Sequence, residues 1–160
     1  MEKAIIKYDG KFYIEKEYYD KIGKLGKVKD KYIELEPEEV LYILKKGWGI
    51  VKGKKEYKNF EDFLKDFINS IDFRLYLVLE YLRDIGFYVD ILNRKYIILY
   101  KDERKDKIQY IILPIYEFDE VYWKDILNHL EFSKKYNAKL LLALIDFEFD
   151  IVFYEVSELY

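Results

Sequence analysis

The chain of 160 residues has no cysteine, which removes disulfides, thiolate metal sites and cysteine nucleophiles together. Its single histidine, His129, leaves an all-protein zinc site without enough of its usual ligands. There is no long apolar run free of charge, so no segment reads as a membrane span. The opening Met1-Glu2-Lys3-Ala4-Ile5-Ile6-Lys7 lacks the apolar core and small-residue cleavage site of a secretory signal. The expectation is a soluble, cytoplasmic protein of one domain or two small ones, with no cofactor. The net charge of −3, from 28 basic and 31 acidic residues, provides no overall attraction for phosphate. Any contact with RNA would have to be local, or be made mostly by a partner.

Aromatic residues, by contrast, are abundant. Eighteen tyrosines and 11 phenylalanines exceed what one small core needs, and the surplus points to a subunit interface, where amphipathic rings are enriched. Much Lys, Glu, Ile and Tyr with little Ala, Gly and Pro fits an AT-rich genome or a thermophilic host.

Along the chain, residues 4–14 place β-favouring residues on both sides of Asp9-Gly10, a hairpin signal. Residues 21–30 read as a loop and 31–35 as a short strand. Pro37-Glu38-Glu39 predicts a helix start, because proline needs no donor there and carboxylates complement the positive end of the dipole. That helix buries Val40, Leu41, Ile43 and Leu44 and stops near Gly47. A second helix follows the cap Asn59 and carries Phe60, Phe63, Leu64, Phe67 and Ile68 at three- and four-residue spacing. Ser70-Ile71-Asp72 opens a third, with Ile71, Leu75, Val78, Leu79, Leu82 and Ile85 on one face and Gly86 at its end. Strands are predicted at 87–92, 96–100 and 108–115, the last two buried on both faces, with a charged turn at 101–107. A helix over 119–136 would bury Val121, Tyr122, Ile126, Leu127, Leu130 and part of Phe132. Strands at 140–145 and 151–156, joined by five residues, complete the chain as an antiparallel pair.

Several stretches match a known pattern in order. Tyr81-Leu82-Arg83-Asp84-Ile85-Gly86-Phe87 ends the third helix, Lys139 to Asp146 forms a strand, and Asp150-Ile151-Val152-Phe153-Tyr154 returns from it; Gly47-Trp48 follows the first helix. In these stretches the chain resembles the tRNA-splicing endonuclease family of archaeal type. The resemblance implies an α+β N-terminal domain over 1–70 and an α/β, restriction-endonuclease-like C-terminal domain over 71–160, built as helix, three strands, helix, two strands.

Members of that family that cut RNA use no metal. A Tyr acts as base on the 2′-OH, a His as acid on the leaving oxygen and a Lys steadies the phosphorus, giving a 2′,3′-cyclic phosphate and a 5′-hydroxyl. The resemblance carries the Tyr onto Tyr100. It carries the His onto Lys107, ahead of Gln109-Tyr110-Ile111-Ile112, and the Lys onto Ala138. Lysine makes a poor acid unless its pKa is strongly lowered. Lys139 is one residue from the catalytic position and faces the other way on a strand. Leu92-Asn93-Arg94-Lys95-Tyr96-Ile97 replaces another family stretch.

With two of three catalytic groups missing, the implied role is a non-catalytic structural subunit in a two-plus-two heterotetramer with a catalytic subunit, acting on precursor tRNA through the complex. Its interface residues would be Glu117, Asp119 and Glu120 in an acidic docking loop and Ile151, Phe153 and Tyr154 on the last strand. Asp119 and Glu120 read equally well as caps of the following helix. His129 reads as a surface or satisfied helical histidine, and the basic runs 52–58 and 94–107 as solvated turns. The alternatives are an active nuclease with an altered or metal-dependent site, and a small interaction protein unrelated to splicing.

Overall fold

The structure, a computed structural model, describes residues 2–157; Met1 and residues 158–160, which the expected domains include, lie outside the described residues. It is a mixed α/β protein with, among the described residues, four α-helices and two mixed sheets. The chain divides into two compact units, Met1–Tyr76 and Leu77–Tyr160.

In the first unit, Asp9-Gly10 turns β1 (Ala4–Tyr8) into β2 (Phe12–Glu15), with Gly10 at φ 95°, a conformation that costs glycine nothing. The stretch expected as loop ends in a two-residue strand, β3 (Lys27–Val28), beside β4 (Tyr32–Leu35). α1 (Pro37–Lys46) starts where proline and two glutamates predict it. Its Glu39 is buried because its carboxylate has two duties: it accepts the Glu36 N–H at 2.8 Å and the Gly26 N–H at 2.9 Å. Gly47, at φ 73°, ends the helix in the left-handed conformation.

β5 (Gly49–Lys52) and β6 (Glu56–Tyr57) lie partly in the run read as a solvated basic turn, and this corrects the expectation. β5 is a strand because it runs parallel to β1 with Ala4 opposite Gly49, and a side chain at Gly49 would come within 3.0 Å of the Ala4 carbonyl oxygen. The sheet order is β3-β4-β2-β1-β5-β6. α2 (Phe60–Phe67) begins at Asn59, whose side chain accepts the Asp62 N–H at 2.8 Å. Its Phe63 and Phe67 stack at 4.5 Å and meet Phe12 and Tyr57 edge-on, which uses up part of the aromatic surplus inside this unit.

α3 (Phe73–Asp84) begins later than the periodicity predicts, so Ile71 precedes it and Ile85 follows it, exposed. Leu75, Val78, Leu79 and Leu82 are buried. In the second unit β7 (Val89–Leu92) turns into β8 (Tyr96–Tyr100) through Asn93 and Arg94, both at positive φ. β9 (Ile108–Tyr116) follows, then α4 (Trp123–Lys135), β10 (Lys139–Ile145) and β11 (Ile151–Val156). The order is β11-β10-β9-β8-β7, with β9 and β10 parallel across α4 and all other pairs antiparallel. Tyr96 to Leu99 and Ile111 to Pro114 are buried throughout, but the ends of β9 are not. Pro114 lies past Ile112, the last β9 residue paired with β8, so its missing donor breaks no bond to that strand.

The helix expected over 119–136 is shorter. Asp119 captures the Tyr116 N–H at 2.8 Å and closes a turn, and Tyr122 is extended, so α4 begins at Trp123. Val121, Tyr122 and Leu127, predicted as buried, are exposed; Ile126, His129, Leu130 and Ser133 form the buried face. Among the described residues, no helix is long and apolar enough to cross a membrane.

Candidate functional site

Tyr100 ends β8, and its hydroxyl donates to Oδ2 of Asp90 on β7 at 2.7 Å. The other oxygen of Asp90 accepts from the Lys105 ammonium at 2.7 Å, and that ammonium lies 5.7 Å from the Tyr100 ring centroid. Lys105 comes from the turn read as merely charged, where a φ of 55° folds it back over the strand ends. Both charged side chains are about nine-tenths buried, exposed 8% and 7%. The phenol proton is thus committed to a carboxylate that is already neutralised by a lysine.

The other two positions carried over by the resemblance offer no chemistry toward Tyr100. Lys107 is exposed, and its backbone carbonyl serves the turn by accepting the Lys101 N–H at 2.9 Å. Ala138, half-buried, packs with Tyr100 against the cluster of Tyr96, Ile98, Ile111 and Leu113, and has nothing to donate. Lys139 is solvent-exposed, 3.8 Å from Glu155 across the β10–β11 pair. A cation does stand beside Tyr100, but it is Lys105.

His129 is buried, 9% exposed, not a surface residue. Its Nδ1 is 2.6 Å from the Tyr96 hydroxyl, and Tyr96 stacks on Phe132 at 4.7 Å. Burial holds the His129 pKa below its ordinary value; Lys95 pushes it further down and Asp125 partly opposes this. Burial also raises the Tyr96 phenol. The pair lines an open pocket of about 710 Å³, whose lining also includes Asp119, Glu120 and Val121. Among the described residues no group of three His, Cys, Asp or Glu side chains is placed to hold a metal ion.

The loops 117–122 and 146–150 meet at one end of the sheet. Tyr116 stacks on Phe118 at 5.0 Å and Phe118 on Phe147 at 5.3 Å, a column of three rings. The Glu117 N–H donates to the Ile145 carbonyl at 2.9 Å, and Asp146 Oδ1 accepts the N–H groups of Glu148 and Asp150 at 2.8 and 3.0 Å. The loops are therefore pinned in shape while their rings face water: Phe147 is 73% and Phe118 59% exposed. The same two loops carry Glu117, Asp119, Glu120, Asp146, Glu148 and Asp150 and contain no Lys or Arg. Neither Asp119 nor Glu120 caps α4, for Glu120 instead accepts the Tyr122 hydroxyl at 2.7 Å.

No family model and no curated protein matches this chain.

Beside the acidic end lies the sheet edge. β11 pairs only with β10, so its outer side is open among the described residues. Tyr154 and Val152 are exposed, while Ile151 and Phe153 are half-buried, and Phe153 packs its ring against Tyr81 of α3 at 5.7 Å. An apolar, accessible edge of this kind is a template for pairing with another strand.

Sequence reasoning missed Asp90 and Lys105. The signal was there: an aspartate between Val89 and Ile91 in an apolar strand needs a partner, because an isolated buried carboxylate is costly. Which lysine would supply it could not be read, since six basic residues lie within 94–107.

Proposed function

We propose that this chain is a non-catalytic structural subunit of an archaeal-type tRNA-splicing endonuclease, assembling with a catalytic subunit that excises introns from precursor tRNA. The observation that carries the reading is the rigid acidic and aromatic end of the second unit beside the open edge of β11. Exposed stacked rings among carboxylates suit a protein partner with a basic, aromatic-binding surface, and they repel phosphate. The succession of helix, three strands, helix and two strands in that unit supports a restriction-endonuclease-like domain. Tyr100, tied to Asp90 and without an acid or a free lysine at the corresponding positions, supports the loss of catalysis.

The test is cleavage of an intron-containing precursor tRNA in EDTA, by the chain alone and after mixing with the candidate catalytic subunit of the same genome. Cleavage only in the mixture is the expected result. Cleavage by the chain alone, or no complex with that subunit, overturns the reading.

A further inference from the structure

No further inference is drawn: the strongest candidate, the apolar groove of about 380 Å³ that Tyr81, Ile85 and Phe87 at the end of α3 form with Tyr110, Leu141 and Phe153 of the sheet, is an unpartnered apolar face, and nothing in the structure shows what covers it.

Discussion

Asp90 and Lys105 form an ion pair of 2.7 Å whose side chains are both nine-tenths buried, one at the middle of a strand and the other 15 residues on in a turn. Two charges leave water together here, and the Tyr100 hydroxyl takes up the second carboxylate oxygen. The arrangement is costly to break from one side, because the surviving charge is left buried without its partner.

Asp90→Ala and Lys105→Ala are each expected to lower unfolding stability by about 3–5 kcal/mol, read from urea midpoints. Tyr100→Phe removes one hydrogen bond to a charged group and should cost about 1.5–3 kcal/mol. A loss below about 1 kcal/mol in both charge variants would mean that the pair is not closed in solution.

If Tyr100 is structural, Tyr100→Phe has a second consequence. Mixed with the proposed catalytic subunit at a temperature where the variant remains folded, it should support precursor tRNA cleavage at the rate seen with the wild-type chain. A hundredfold fall, in the range that removal of an acid–base group causes, would return Tyr100 to the chemistry.

The ring column can be disturbed without touching the core. Phe147 is so exposed that Phe147→Ser should change stability by no more than about 0.5 kcal/mol. The same substitution, and Glu117→Lys with it, should weaken association with the proposed catalytic subunit by at least tenfold in sedimentation or calorimetry. Tyr154→Lys on β11 tests the open edge in the same way, since a lysine there discourages strand pairing.

His129 makes stability depend on pH with a definite sign. Its folded pKa lies below the ordinary 6.5, so the unfolded chain binds the proton more readily than the folded one. Its contribution is complete above about pH 6.5 and is lost as the pH falls toward the folded pKa. Thermal midpoints measured from pH 7.5 to 5 should fall for the wild type and fall less steeply for His129→Gln. Equal slopes would place the imidazole in water.

Much of the fold was legible locally. Asp9-Gly10, Pro37 with its glutamates, Asn59 and Gly47 act on their own neighbours through backbone angles and caps, and each punctuates the chain where its chemistry predicts. β8 and β11 have the bounds that their apolar runs announce. The sequence by itself also removed thiol chemistry and left one histidine to consider.

What the tertiary structure decided are the relations between distant residues. β5 is a strand only because β1 lies beside it, and a run of four residues carries no periodicity long enough to announce that. The start of α4 was settled by Asp119 reaching back to Tyr116, a competition between side chain and helix that spacing cannot rank. The choice of Lys105 over its basic neighbours, the burial of His129 against Tyr96 and the stacking of Phe118 on Phe147 all depend on which surfaces the folded backbone brings within a few ångströms. Composition determines how many charges and rings there are; packing alone determines which of them lose water and which are left facing it.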